Sequence, residues 1–285
     1  MADYLVTDTE LTSVANAIRS KSGGNNQLVF PSGFVSELNG IDLGYTIDQI
    51  ASKNFGSDAN IIINGTTIQH YAFYKAVGIA SVTANNVTSL GSGNAISIFN
   101  NSSIQSLTMN NLTSIGNSQY FCANCSHLTT IKLPLIWDLG DYAFTNCGSL
   151  VAVSFPSAIG SYRAFYGCSK LEIADYGGIG TNIAMNYQNF YNCTKFKTLI
   201  MRNTNNTNLT NVNAFDNTPF KSGGSGGTIY IPKSLYDHLG DGTSSDYQSL
   251  TNWSTIHARG TITWAQIEGS YYETHYADGT EIPTS

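Results

Sequence analysis

One phrase recurs along this chain and constrains its fold more than any other feature. A phenylalanine is followed by two residues, a small residue, two more residues, and then apolar positions that alternate. The phenylalanines are Phe73, Phe99, Phe121, Phe144, Phe165, Phe190 and Phe215, spaced 26, 22, 23, 21, 25 and 25 apart. A repeat of roughly 20–29 residues is one supersecondary unit that cannot bury its own apolar face, so its copies must stack. A stacked array carries function on a long shared surface rather than in one pocket.

The segment Phe144 to Pro156 shows the register. Counted from Cys147, apolar residues fall three, six and eight positions on, at Leu150, Val153 and Phe155. The same count from Cys125 gives Leu128, Ile131 and Leu133, and from Cys168 it gives Leu171, Ala174 and Tyr176. Cys193 leads to Phe196, Leu199 and Met201, Ala76 to Ile79, Val82 and Ala84, and Asn101 to Ile104, Leu107 and Met109. The last two positions are two apart, which is strand periodicity with one face turned inward. Pro134 and Pro156 then stop their strands, since proline cannot donate to a ladder. Ile68-Gln69, Ile115-Gly116, Leu139-Gly140 and Ile159-Gly160 read as turns on the return path to the next phenylalanine.

This phrase resembles the BspA-like leucine-rich repeat family, and the likeness runs from about residue 60 to 232. It is strongest from Leu139 to Pro156, through Leu139-Gly140-Asp141-Tyr142-Ala143-Phe144-Thr145-Asn146-Cys147. The resemblance implies a mainly β leucine-rich-repeat solenoid of about six to eight coils. The coil at Phe99 departs by one missing residue, with Asn101 in the cysteine slot. The last departs with Thr218 in that slot and a Gly-rich insert after it.

Residues 1–41 read as a separate helical module, 42–232 as the solenoid, and 233–285 as a C-terminal cap and tail. Thr7-Asp8-Thr9-Glu10 forms a capping box. Leu11, Val14, Ala15 and Ile18 then make an amphipathic stripe that Gly23-Gly24 ends. Phe34, Val35, Leu38 and Ile41 form a second stripe. This module resembles N-terminal segments of proteins encoded in prophage and phage-tail regions of gut Firmicutes. Ser222 to Gly227 lacks the Lys-Ser/Thr that completes a nucleotide phosphate cradle and reads as a flexible loop. Thr228 to Pro232 is a last strand, followed by short helices near Ser234 and Trp253 that cover the final coil. Tyr276 to Thr280 reads as a hairpin turn in a Tyr- and Trp-containing tail, which is either a small strand pair or an interaction appendix.

The formal net charge is -6 and only 11% of residues are charged, so no basic patch emerges and nucleic acid is not an expected partner. No apolar run approaches the length of a membrane span, so membrane insertion is not expected either. Met1-Ala2-Asp3-Tyr4 has neither the basic nor the apolar region of a signal peptide. The expectation is therefore synthesis in the cytoplasm, with a virion-associated or extracellular destination.

The five cysteines are Cys122, Cys125, Cys147, Cys168 and Cys193. Four share one slot in successive coils and read as a column of small buried thiols, with no metal expected. Cys122-x-x-Cys125 has no second pair to make a zinc site. None of His70, His127, His238, His257 and His275 stands at a diagnostic spacing from a carboxylate or thiol, so no catalytic residue and no cofactor is expected. What remains is a surface. The outward strand positions are Ser81, Thr83, Ser106, Thr108, Thr130, Lys132, Ala152, Ser154, Ile173, Asp175, Thr198 and Ile200. At about 4.8 Å per strand they form a hydroxyl-rich face of roughly 25 Å. Tyr74, Tyr166 and Tyr191 form a second candidate stripe on the loops. The expected function is non-enzymatic recognition or adhesion, directed at a cell-surface protein or glycan. The alternative is a scaffold that displays the solenoid without a ligand of its own.

Overall fold

A computed structural model describes residues 52–90, 97–116, 119–158, 162–176, 184–185, 188–205 and 208–267. The helical module at 1–41 and the hairpin turn at 276–280 lie outside the described residues. The described chain is mainly β. Its strands are β1 (Asn54–Ile62), β2 (Thr67–Ile68), β3 (Val77–Thr83), β4 (Ser89–Leu90), β5 (Ser106–Thr108), β6 (Thr130–Lys132) and β7 (Ala152–Phe155). They continue as β8 (Ile173–Tyr176), β9 (Ala184–Met185), β10 (Thr198–Ile200), β11 (Asn208–Leu209), β12 (Gly227–Ile231) and β13 (Ile262–Gln266). Two short helices, α1 (Lys233–Tyr236) and α2 (Trp253–His257), lie between β12 and β13.

Every apolar position reached by the three-six-eight count is buried, including Leu150, Val153 and Phe155. Between them the strand residues turn outward. Each repeat then pairs with the next in parallel, in two sheets ordered β1-β3-β5-β6 and β7-β8-β10-β12-β13. β6 and β7 touch but share no ladder. The core between strands and loops is an aromatic column. Ring centroids run from Phe73 to Phe99 at 5.1 Å, from Phe144 to Phe165 at 5.8 Å and from Phe165 to Phe190 at 5.6 Å.

Backbone hydrogen bonds on the loop side correct the register of two repeats. The Phe144 amide donates to the Ala164 carbonyl, and the Phe73 amide to that of Ile98, so the acceptor is the residue just before the next phenylalanine slot. By that rule, Phe99 donating to Phe121 and Cys122 donating to Ala143 put Cys122 in the aromatic slot. Phe121 takes the small-residue slot before it. Three residues after Phe99 comes Ser102, not Asn101, and its hydroxyl lies 3.5 Å from Cys125 Sγ. The missing residue falls after Ser102, where Ser103 ties back to the preceding repeat, its amide donating to the Ala76 carbonyl and its hydroxyl accepting from the Ile79 amide. The preceding stretch is fixed by hydrogen bonds to both neighbours.

Asn101 instead belongs to a column just before the cysteine slot. Lys75, Asn101, Asn124, Asn146, Asn192 and Asn217 all have φ between 57° and 62° there. Asparagine is among the few residues with a β-carbon that visit this left-handed region routinely. The side-chain amide of Asn146 donates to Asn124 Oδ1 at 3.0 Å, and that of Asn217 to Asn192 Oδ1 at 2.8 Å. Gly167 takes this step of the column at a φ of 74°, which glycine adopts without strain.

The ladder begins inside the expected solenoid and runs on past residue 232. β1 pairs with β3 from Ala59↔Ile79 to Ile62↔Thr83, one repeat earlier than the sequence phrase begins. β13 pairs with β12 from Gly227↔Ile262 to Ile231↔Gln266. The ladder therefore continues beyond residue 232. Pro232 ends β12 and starts α1, and Trp253 of α2 continues the aromatic column 5.9 Å from Phe215.

Candidate functional site

The outward strand positions lie in two rows across each sheet. In the first sheet they run Asn60, Ser81, Ser106, Thr130 and Ile62, Thr83, Thr108, Lys132. In the second they run Ala152, Ile173, Thr198, Thr228, Thr263 and Ser154, Asp175, Ile200, Tyr230, Ala265. The short strands hold each hydroxyl in register with its neighbours, because a one-residue slip would send it into the core.

The two halves differ. Over the first sheet, Ser81, Thr83, Ser106, Thr108 and Thr130 are half-buried and Lys132 is exposed. Ser81 spends its hydroxyl on Asn60 Oδ1 at 2.6 Å. The hydroxyls of Ser106, Thr108 and Thr130 make no hydrogen bond among the described residues. Over the second sheet, Ala152, Ser154 and Ile173 are half-buried, but Asp175, Thr198 and Ile200 are buried. The expectation that these three face solvent is therefore corrected. Arg202 Nε lies 2.8 Å from Asp175 Oδ2, and the Ser154 hydroxyl donates to the same oxygen at 3.4 Å. Ile200 packs with Ile267 just beyond β13, flanked by Ile173 and Tyr230. The cover supplied by residues 202 and 267 has no signature in the repeat.

The loop tyrosines form a longer array than the sequence suggested. Tyr166 stacks on Tyr191 at 5.1 Å, Tyr120 on Tyr142 at 4.8 Å, and Tyr74 meets Tyr71 edge-on at 5.6 Å. The Arg163 guanidinium lies 4.9 Å from the Tyr162 ring, 5.4 Å from Tyr166 and 5.7 Å from Tyr142. Tyr142 and Arg163 share the slot two residues before their phenylalanines, and this shared slot was the signal available in the sequence.

All five cysteines are free and buried. The thiols of Cys147, Cys168 and Cys193 each donate to a carbonyl of the preceding repeat, on Cys122, Phe144 and Phe165, at 3.1 Å. Burial pushes Cys168 up to about 12, and it likewise raises Cys122, Cys147 and Cys193 well above the ordinary thiol range. These thiols are protonated donors and poor nucleophiles. Among the described residues no group of three His, Cys, Asp or Glu side chains is placed to hold a metal ion. No helix among them is long and apolar enough to cross a membrane.

One histidine departs from expectation. His238 Nδ1 lies 2.7 Å from Asp241 Oδ2, with both side chains exposed. The hydrogen bond to His238, followed by those from Thr243, lowers the Asp241 carboxyl to about 2. The Thr243 amide and hydroxyl both bind Asp241 Oδ1, so this carboxylate serves to close a turn after α1.

The family model of the BspA type leucine rich repeat region, in six copies, matches residues 46–172 and 118–239. Among solved structures, a leucine-rich repeat protein of T. pallidum is 19% identical, with 56% of this chain and 81% of that one covered at a TM-score of 0.42. A leucine-rich repeat protein from Bacteroides ovatus is 16% identical, with 78% of this chain and 68% of that one covered at a TM-score of 0.36. No curated protein matches.

Proposed function

The chain belongs to the BspA-type leucine-rich-repeat family, and from that membership we propose that it is a non-enzymatic recognition solenoid for a cell-surface protein or glycan. Its binding surface in this reading is the open half of the strand face. The observation that carries it is the set of unengaged hydroxyls on Ser106, Thr108 and Thr130, held in register over the buried Leu107 and Ile131. Hydroxyls presented on a rigid ladder form hydrogen bonds with little further ordering cost. Attachment through residues 1–41 to a phage-tail or prophage assembly is part of the same proposal, motivated by the wording of that segment.

The test is a glycan and surface-protein array probed with the full chain and with the variant Ser106→Glu, Thr108→Glu, Thr130→Glu. Ser154 is left alone because its hydroxyl binds buried Asp175, where a second carboxylate would be repelled. The triple variant is expected to melt like the parent and lose the parent's array ligand. Retained binding would remove this face from the proposal. An array on which the parent binds nothing would favour the scaffold reading.

A further inference from the structure

The rim that precedes β8, β10 and β12 carries a local excess of positive charge on an acidic chain. Lys170, Lys195, Lys197 and Lys221 are all exposed there, and they are four of the chain's 13 lysines and arginines. The Thr194 hydroxyl donates to the Ser169 carbonyl at 3.2 Å, which sets the next residues, Lys170 and Lys195, side by side on adjacent repeats. Lys197 Nζ lies 2.7 Å from Glu172 Oε2, the acidic side chain of this rim. The Phe196 and Phe220 rings are 5.8 Å apart in the core, and Lys197 and Lys221 are the exposed residues that follow them.

Lys221 also opens the Gly-rich turn. Gly224 donates back to the Lys221 carbonyl and Gly226 to that of Pro219, each at 2.9 Å. Gly223 and Gly226 take φ of 68° and 80°, conformations that glycine adopts without strain. The amides of Ser222, Gly223 and Ser225 donate to no acceptor among the described residues, and all three residues are exposed. Free amides on a tight Gly-rich turn can form an anion-binding concavity, and the exposed Lys221 opens this one.

We propose that this rim and turn bind a linear acidic polysaccharide, with its carboxylates reaching successive repeats. The proposal rests on the recognition reading above and adds a ligand class and a second contact surface to it. A polymer fits better than a single small anion. The donors span three repeats about 4.8 Å apart, and each exposed charge contact alone contributes only about 0–1 kcal/mol. Linking several such contacts on one strand raises affinity by avidity. Single-stranded nucleic acid fits less well, because base stacking needs aromatic platforms interleaved with the cations, and among the described residues of this rim the aromatics, Phe196 and Phe220, are buried.

The experiment is isothermal titration of the full chain with polygalacturonate, with neutral dextran, sodium phosphate and single-stranded poly-dT as comparisons. The expected result is salt-sensitive binding of polygalacturonate and none of dextran. Lys195→Gln with Lys197→Gln should weaken it about tenfold. Glu172→Gln should strengthen it, because it releases Lys197 from its partner. All three side chains are solvent-accessible, and melting curves confirm the fold of each variant. The proposal is overturned if the double variant binds like the parent, if phosphate competes as well as the polymer, or if poly-dT binds more tightly. A parent that holds an array ligand but ignores polygalacturonate overturns this inference and leaves the recognition reading standing. A parent that binds polygalacturonate but nothing on the open strand face supports the rim and removes that face.

Discussion

Phe144→Ala tests the column on which the stack depends. Phe144 is fully buried, and its ring centroid lies 6.2 Å from Phe121, 5.7 Å from Phe155 and 5.8 Å from Phe165. It also sits where the two sheets meet without a strand ladder. Loop-side bonds such as Cys122 to Ala143 and Asn124 to Thr145, both 2.7 Å, hold the repeats together there with the aromatic contact. Removing the ring forfeits about 1.5–3 kcal/mol of burial and about 0.5–1.5 kcal/mol for an aromatic pair. The expected loss is therefore about 3–5 kcal/mol once the cavity is included. A domain is typically stable by only about 5–15 kcal/mol, so the change is large. Repeats contact only their neighbours, so the weakened junction should let the two sheets unfold separately. Urea denaturation followed by circular dichroism should show a lower midpoint and two transitions where the parent shows one. A variant that unfolds once, at the parent's midpoint, would refute both the register and the role assigned to the junction.

Other perturbations probe different parts of the design. Gly78→Ala should destabilise by at least about 1–3 kcal/mol, the range for a residue held at a strained backbone angle. Its φ is 77° and a new β-carbon would lie 2.0 Å from the Gly56 carbonyl oxygen, which is backbone and cannot swing away; differential scanning calorimetry measures the loss. Arg202→Met removes the cation beside buried Asp175 and should cost about 3 kcal/mol, read from chemical denaturation. A midpoint unchanged from the parent would show that the pair contributes nothing. The thiol column sets an alkaline limit. Cys168 is raised to about 12 in the fold against 9.0 for an ordinary thiol, so its contribution is complete below about pH 9 and is lost as pH rises toward 12. The sign follows because unfolded thiols release protons that folded ones retain. The urea midpoint should fall across that window, and native thiols should resist alkylation until it does.

Much of this architecture was legible along the chain. A residue type recurring every 21 to 26 positions, with apolar residues two apart after it, already demands parallel strands that share one inward face. Leu150, Val153 and Phe155 are buried for that local reason. Along the chain the register is ambiguous where two residues compete for one slot. Phe121 looks like the ladder aromatic because it is the only phenylalanine nearby, yet the carbonyl it offers to Phe99 shows that Cys122 holds the place. Such a choice is settled by the neighbouring repeat's hydrogen bonds, which no single repeat records.

The same division runs through the candidate sites. Periodicity sets which side of a strand Asp175, Thr198 and Ile200 occupy, because side chains alternate by geometry alone. Whether that side meets water depended on residues distant in sequence: Arg202 reaching 27 positions back to Asp175, and Ile267 packing on Ile200. Lys170, Lys195, Lys197 and Lys221 were likewise visible only as scattered single charges. Stacking at one strand spacing per repeat turns residues some 25 apart into neighbours, so local chemistry is written in the repeat and its collective surface emerges only when the repeats are assembled.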